Sequence, residues 1–150
     1  MMTVGAFCNR DVVVAESETS VNDAAKLMRE FHVGCLIVVQ KSDTGNAVLG
    51  LVTDRDIVVE VLAQSVDPAS LTIGDIMTQD PITAHEDDSL WDTVKKMNIH
   101  GIRRLPVVYS NGMLAGLLTT DDLLELLSVE LSQLANLFVN EQRREKELRQ

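Results

Sequence analysis

The sequence contains few aromatic residues and few cysteines. Phe, Tyr and Trp make up only 3% of its 150 residues, so Val, Leu, Ile, Ala and Met must fill the core. The two cysteines, Cys8 and Cys35, are far apart and form no CxxC pattern, which argues against a zinc ribbon or a dithiol site. We expect no structural disulfide, and we expect Cys35, within the apolar run VGCLIVV, to be a small buried side chain.

Basic residues are also scarce, and long apolar runs are missing. Thirteen Lys and Arg residues face 23 Asp and Glu residues, which gives a net charge of −10. A nucleic acid polymer requires a basic patch and is not an expected partner, whereas a mononucleotide needs only a local pair of cations. No run approaches the roughly 18 apolar residues of a transmembrane helix, and no secretory signal is visible. We therefore expect a cytoplasmic protein that does not bind membranes.

The common catalytic and metal-binding motifs are absent. There is no P-loop, nucleophile elbow or glycine-rich dinucleotide fingerprint, and the three histidines, His32, His85 and His100, are dispersed without HxxxH spacing. We predict that the protein is not an enzyme and holds no metal. One metal-binding alternative stays open, a zinc site assembled from Cys8 or Cys35 with a histidine across a dimer.

The sequence contains an internal duplication. A shift of 69 positions lays residues 9–39 over 78–108, and a shift of 66 lays GLVTDRDI, residues 50–57, over GLLTTDDL, residues 116–123. The shift changes because the turn QKSDTGNA in the first copy is longer than YSNGML in the second, and insertions collect in loops. The duplication predicts two units of the same structure.

Each copy has the pattern β-α-β-β-α. A β-branched run (DVVVAES or DPITAHE) precedes a helix that begins at a Ser-x-x-Asp sequence and carries apolar residues at helical spacing. Two strands and a second helix follow. Because one such unit buries only one face of its sheet, we predict an α+β fold of two packed units with pseudo-two-fold symmetry and paired clefts. The strands are predicted at 36–39, 48–52, 105–109 and 114–118.

A helical tail follows the second copy. The predicted organisation is a first repeat over 8–63, a linker over 64–74, a second repeat over 75–128 and a tail over 129–150. In the tail, apolar residues step by four, three and four, as in a coiled coil. This stripe either packs onto its own module or associates with a second copy. Its members are Leu127, Leu131, Leu134 and Phe138.

The whole pattern resembles a tandem pair of CBS domains, also called a Bateman module. The resemblance covers roughly residues 8–128 and is clearest in HGIRRLPVVYSNGMLAGLLTTDDL, with IGDIMTQDPIT similar to the usual start of a second CBS repeat. It implies a cytosolic regulatory module that needs no resident cofactor and binds AMP, ADP or ATP, with S-adenosylmethionine a less favoured ligand. It also implies a homodimer, and a regulated protein partner that the sequence does not identify.

The repeated Thr-x-x-Asp sequences have two interpretations. Thr53 with Asp56, and Thr119 with Asp122, form the pattern of a helix capping box, and the other two predicted helices begin with the same spacing. Capping is therefore expected in any case. The resemblance adds that these aspartates hold the two ribose hydroxyls, for which a carboxylate is a suitable acceptor, and that the threonines contact ribose or phosphate.

Two adjacent arginines precede the predicted strand of the second copy. The resemblance implies that Arg103 and Arg104 contact phosphate, for which the planar guanidinium is suited; alternatively they pair with surface carboxylates. The first copy has Gly34 and Cys35 at these positions. We therefore expect the GLLTTDDL site to bind a charged nucleotide better, and the other cleft to be empty or to take a less charged adenosine.

The resemblance also implies an apolar wall for adenine. It assigns this wall to Leu51 and Leu117, with Ile102 or Met77 nearby, although plain core positions are the favoured interpretation of all four. The sequence thus predicts a sensor of energy state or of a metabolite. Two other functions stay open: a ligand-free dimeric scaffold, and a module that responds to metal or redox state.

Overall fold

The structure is a computed structural model that describes residues 1–150. It confirms the α+β class and the doubled β-α-β-β-α order, and it adds a short helix before each copy. The first repeat consists of α1 (Val4–Phe7), β1 (Val14–Ala15), α2 (Val21–Phe31), β2 (Cys35–Ser42), β3 (Gly45–Thr53) and α3 (Asp54–Asp56), which continues as a π-helix over Ile57–Leu62. The second consists of α4 (Ile73–Ile76), β4 (Thr78–Gln79), β5 (Ala84–His85), α5 (Leu90–His100), β6 (Arg104–Val108), β7 (Leu114–Thr119) and α6 (Thr120–Leu148).

Helices α2 and α5 begin as their sequences predict. The Ser20 hydroxyl at the start of α2 accepts a hydrogen bond from the Asp23 amide at 3.1 Å, and Ser89 does the same at the start of α5. Each helix ends at a residue in the left-handed conformation, His32 after α2 and Gly101 after α5, a common way to terminate a helix.

The strands form two sheets, with orders β1-β2-β3-β4 and β5-β6-β7. In both, the first strand pairs in parallel with the next and the hairpin is antiparallel. Strand β4 belongs in sequence to the second repeat, but it pairs with β3 of the first. At the equivalent place in the other sheet, Asn9 and Leu117 exchange two backbone hydrogen bonds of 2.9 Å. The arms that precede the first strands, residues 8–13 and 77–82, therefore cross between the repeats.

The short helices cross over in the same way. Val4 of α1 is fully buried in the core of the second repeat, and Ile73 of α4 is fully buried in the core of the first. Four residues are too few to show a helical period, which is why sequence patterning does not reveal these helices. Each repeat is completed by a helix that precedes the other repeat.

The two sheets pack against each other through a third apolar cluster. In β2, Leu36 and Val38 face the core of their own repeat, whereas Cys35, Ile37 and Val39 face the other repeat. Both faces of this strand are buried, so its sequence is a continuous apolar run instead of an alternating one. Cys35 is buried as predicted, and burial raises the pKa of its thiol to about 11.

Candidate functional site

The helix that follows β3 begins with a complete capping box. The Thr53 hydroxyl accepts a hydrogen bond from the Asp56 amide at 3.2 Å, and Oδ2 of Asp56 accepts one from the Thr53 amide at 2.9 Å. The predicted cap is confirmed. Oδ1 of Asp56 has no hydrogen-bond partner in the chain, so half of this carboxylate is available.

The helix that follows β7 begins with a different arrangement. The Thr119 hydroxyl again accepts from the Asp122 amide, at 3.2 Å, which confirms the predicted cap. The same hydroxyl donates to Oδ2 of Asp122 at 2.9 Å, and the carboxylate does not reach back to the backbone. Oδ1 of Asp122 also remains without a partner in the chain.

The first cleft lies between the end of β3 and the second repeat. It has a volume of about 400 Å³, within the usual range for small-molecule sites. It exists because β4 pairs with β3, which holds the second arm against Leu51 and Thr53. Its lining residues are Leu51, Thr53, Thr78, Asp80, Pro81, Ile82, Gly101, Ile102, Arg103 and Arg104.

The second cleft is the pseudo-symmetric counterpart of the first and is smaller, about 240 Å³. Here the first arm is held against Leu117 and Thr119 by the bridge at Asn9. Val33, Gly34 and Cys35 stand here at the positions that Ile102, Arg103 and Arg104 hold in the first cleft. Its lining residues are Asn9, Asp11, Val12, Val13, Val33, Gly34, Cys35, Arg104, Leu117, Thr119, Asp121 and Asp122.

The crossed arms change which predicted site residues meet. Arg103 and Arg104 were expected to serve the GLLTTDDL site, but both line the first cleft, with Thr53 of the first repeat. Arg104 also reaches the second cleft. Both arginines also line, with Thr119, a shallow depression of about 160 Å³, because β6 pairs with β7. The arginines thus stay close to the GLLTTDDL segment of their own repeat within the sheet. The larger cleft, however, is lined by residues of both repeats.

The two clefts differ in charge. Neither Arg103 nor Arg104 forms a salt bridge or a side-chain hydrogen bond; the five ion pairs of the chain use other residues. The alternative in which these arginines pair with surface carboxylates is therefore not observed. Asp80 is the one carboxylate among the residues that line the first cleft with these arginines; Asp56 is not a lining residue. The second cleft has three carboxylates and only Arg104.

The residues assigned to an adenine wall are divided between the clefts. Leu51 and Ile102 line the first cleft and Leu117 the second. Met77 lines neither, because it packs against the core of the first repeat. Sequence reasoning also missed the arms, among them Asp80 and Ile82, although DPIT and DVVV occupy the same place in the two copies.

Two glycines allow the arms to approach the strands. A Cβ atom on Gly116 would lie 2.7 Å from the Asn9 carbonyl oxygen and 2.7 Å from the Cys8 sulfur. A Cβ atom on Gly50 would overlap the Met77 sulfur. The glycine that opens GLVTDRDI and GLLTTDDL therefore leaves space for the crossing arm.

The chain does not gather metal ligands at either cleft. No three His, Cys, Asp or Glu side chains come together as a metal site. Cys8 and Cys35 are free thiols, and burial raises the pKa of the Cys8 thiol, with Arg10 opposing the shift. A zinc site would need ligands from a second chain.

Comparison with known proteins identifies the family. The family model for the CBS domain matches residues 4–63 and 73–129. The chain belongs to the CBS-domain family. Each match begins at one of the short helices α1 and α4, whereas the repeats predicted from the sequence begin at residues 8 and 75.

Two curated relatives are similar to this chain over most of its length. An uncharacterized protein of Methanopyrus kandleri is 39% identical over 126 residues, which are 83% of this chain and 62% of that protein. The inosine-5′-monophosphate dehydrogenase of Korarchaeum cryptofilum is 37% identical over 117 residues, 78% of this chain and 22% of the enzyme. The chain therefore spans less than two thirds of either relative.

Three solved structures show the same CBS-pair fold with different bound species. A CBS domain pair in complex with 5′-methylthioadenosine and S-adenosyl-L-methionine has a TM-score of 0.74 at 29% identity and covers 87% of this chain and 98% of its own. CBSX2 in complex with AMP has a TM-score of 0.72 at 28% identity, covering 87% and 99%. Hypoxic response protein I with two coordinated zinc ions has a TM-score of 0.71 at 28% identity, covering 83% and 98%.

No helix of this CBS pair combines the length and the apolar character that crossing a membrane requires.

Proposed function

We propose that this CBS pair is a regulatory module that binds an adenine nucleotide, AMP, ADP or ATP, in its first cleft. The observation that carries the proposal is the pair of unpaired guanidinium groups, Arg103 and Arg104, in the larger cleft. Guanidinium groups form forked, charge-assisted hydrogen bonds to phosphate oxygens. The net charge of −10 does not oppose this, because the carboxylates lie mainly outside this cleft.

The ribose is assigned to the end of β3. Oδ2 of Asp56 is held by the Thr53 amide at 2.9 Å, which orients the carboxylate, and Oδ1 is free to accept from a ribose hydroxyl. Thr53 lines the cleft directly, and Asp56, which does not line it, is joined to Thr53 by the two hydrogen bonds of the capping box. The capping role and the binding role are therefore compatible in the same pair of residues.

The adenine is assigned to the apolar part of the same cleft. Leu51 from β3, Ile82 from the second arm and Ile102 before β6 supply apolar surface from three different segments. All three are partly buried, as expected of side chains that line a cleft and do not fill the core.

We propose a different ligand class for the second cleft. Asp11, Asp121 and Asp122 give it an excess of negative charge that opposes a phosphate. We assign it to an adenosine without phosphate, bound through Asp122, or to no ligand. A solved relative binds 5′-methylthioadenosine and S-adenosyl-L-methionine, neither of which carries a phosphate.

Regulation would follow from the position of the clefts. Each is lined by both repeats, so a bound ligand contacts both and favours one relative arrangement of them. A ligand shifts a conformational equilibrium only if it binds the two arrangements with different affinity. We propose that a cytoplasmic homodimer uses this shift to control a protein partner, and that the module itself is not catalytic.

A thermal-shift screen with AMP, ADP, ATP, S-adenosylmethionine and zinc chloride tests the proposal. A ligand at about one hundred times its dissociation constant should stabilise the module by roughly 2.7 kcal/mol. We expect stabilisation by at least one adenine nucleotide. Stabilisation by zinc alone would favour the metal-responsive alternative, and no shift with any compound would favour the ligand-free scaffold.

A further inference from the structure

Arg104 lies at the junction of the two clefts. It lines the first cleft with Leu51 and Thr53, and it lines the second cleft with Asp121 and Asp122. No other residue lines both clefts. Arg104 is half-buried, and its guanidinium takes part in none of the five ion pairs of the chain. The side chain is therefore free to turn towards either cleft.

The duplication explains why one arginine serves two clefts. Arg104 pairs with Thr119 across β6 and β7, and Cys35 pairs with Thr53 across β2 and β3. The shift of 69 positions makes Arg104 and Cys35 equivalent in the two copies. An arginine at both positions would give two symmetric cations, but only the second copy has one. The two clefts therefore share a single guanidinium.

The charge of Arg104 acts on the second cleft although the side chain also lines the first. Burial raises the pKa of the Cys35 thiol to about 11, and the positive charge of Arg104 opposes this shift. Cys35 is one of the residues that line the second cleft. The guanidinium is thus close enough to influence the groups of that cleft while it remains available to the other.

The two clefts depend on this charge to different degrees. In the first cleft, Arg103 is a second cation, and Asp80 is the one lining carboxylate. In the second cleft, Arg104 is the only cation beside three carboxylates. If Arg104 turns to the first cleft, the second keeps its carboxylates without a compensating charge. Such a change matters inside a cleft, where the effective dielectric constant is lower than in water.

We propose that Arg104 couples the two clefts, so that a phosphate bound in the first increases the affinity of the second for a cationic adenosine compound. The inference rests on the proposed function, in which the first cleft binds a nucleotide and the second an adenosine without phosphate. The phosphate holds Arg104 through charge-assisted hydrogen bonds and draws it away from the second cleft. The coupling is reciprocal: the cationic ligand increases the affinity of the first cleft for the nucleotide by the same factor.

The charge of the second ligand determines the size of the effect. S-adenosylmethionine carries a sulfonium group, so it gains attraction when the carboxylates of the second cleft lose their only cation. 5′-Methylthioadenosine has the same base and ribose but no charge, so its affinity should depend little on the position of Arg104. These two compounds are therefore a matched pair of probes for the second cleft.

Isothermal titration calorimetry of the full chain tests the coupling. Each probe is titrated without AMP and with saturating AMP, after a titration with AMP alone. We expect AMP to raise the affinity for S-adenosylmethionine roughly 5- to 20-fold and that for 5′-methylthioadenosine by less than about twofold. An S-adenosylmethionine affinity that is unchanged or lowered by AMP, the absence of S-adenosylmethionine binding in both conditions, or an equal rise for both probes overturns the proposal. A chain that does not bind AMP alone contradicts the proposed function instead.

Substitution of each arginine tests whether Arg104 carries the coupling. Arg104→Gln removes the shared charge, so its affinity for S-adenosylmethionine without AMP should equal that of the wild type with AMP, and AMP should raise it no further. Arg103→Gln is the matched control, because Arg103 lines the first cleft but not the second; this variant should keep the coupling. AMP is raised to the concentration that saturates each variant, and circular dichroism checks that both are folded. Coupling that persists in Arg104→Gln, or that is lost equally in Arg103→Gln, overturns the assignment to Arg104.

Discussion

Substituting the arginines of the first cleft should weaken the binding of the phosphate group without affecting the binding of base and ribose. Arg104 is half-buried and Arg103 is exposed, so the two should differ in importance. A hydrogen bond between charged groups in a partly desolvated site contributes about 1.5–3 kcal/mol, whereas an exposed ion pair contributes only about 0.2–1 kcal/mol. We expect Arg104→Gln to weaken AMP binding roughly 10- to 100-fold, and Arg103→Gln by about fivefold or less.

The assay is isothermal titration calorimetry with AMP and with adenosine, which shares base and ribose but lacks phosphate. Arg104→Gln should reduce the affinity for AMP and leave that for adenosine nearly unchanged. Arg29→Gln is the control, because Arg29 is an exposed residue near the end of α2. This variant should bind both ligands like the wild type. An equal loss of AMP and adenosine affinity in Arg104→Gln would refute the phosphate assignment.

Three further predictions follow from individual contacts. Asp56→Asn should weaken AMP and adenosine binding alike, by roughly tenfold or more for a lost charged acceptor. Asp92→Asn, at the equivalent position in the first turn of α5, should not, because the Asp92 carboxylate pairs only with the exposed Lys95 and lines neither cleft. Equal affinities of the two variants in the same titration would contradict the ribose assignment. Gly116→Ala should lower the free energy of unfolding by about 1–3 kcal/mol, because its Cβ has no space beside the first arm. In urea unfolding, the control Gly112→Asn should lower the free energy of unfolding much less. No atom lies within 4 Å of its added Cβ, and Asn tolerates a positive φ. A Gly116→Ala variant as stable as the wild type would show that the arm moves freely. Burial raises the pKa of Cys35 from about 9 to about 11, so its stabilising contribution is complete below pH 9 and decreases as the pH rises to about 11. The wild-type melting temperature should therefore fall more steeply than that of Cys35→Ala between pH 9 and 11, and parallel curves would contradict this.

Most of the fold follows from local sequence patterns. The β-branched runs, the Ser-x-x-Asp starts and the duplication predict elements whose order the structure confirms, because these signals depend only on residues close in the chain. The short helices α1 and α4 were not predicted. Their stability comes from Val4 and Ile73, which are buried in the core of the opposite repeat, and no local pattern records such a contact.

The candidate site was predictable in its parts but not in its assembly. Thr53, Leu51, Arg103 and Arg104 were each singled out from the sequence, yet the arginines were assigned to the GLLTTDDL site of their own repeat. The structure places them with Thr53 in the larger cleft. Both arginines also line a depression with Thr119, and Arg104 lines the second cleft, so their assignment to the GLLTTDDL site stays a prediction. Adjacency in the sequence did not reveal that the first cleft shares these arginines.

The sequence by itself determined the two repeats, their helix caps, the apolar character of the core and the residue types available for phosphate and ribose. These properties depend on composition and on spacing along the chain. Only the tertiary structure decided which residues share a cleft, which of the two clefts holds both arginines, and that the tail stripe is left exposed. The physical reason is the crossing of the arms: backbone hydrogen bonds at Leu51 and Leu117 join each arm to the other repeat, and long-range pairing of this kind leaves no periodic signal in the sequence.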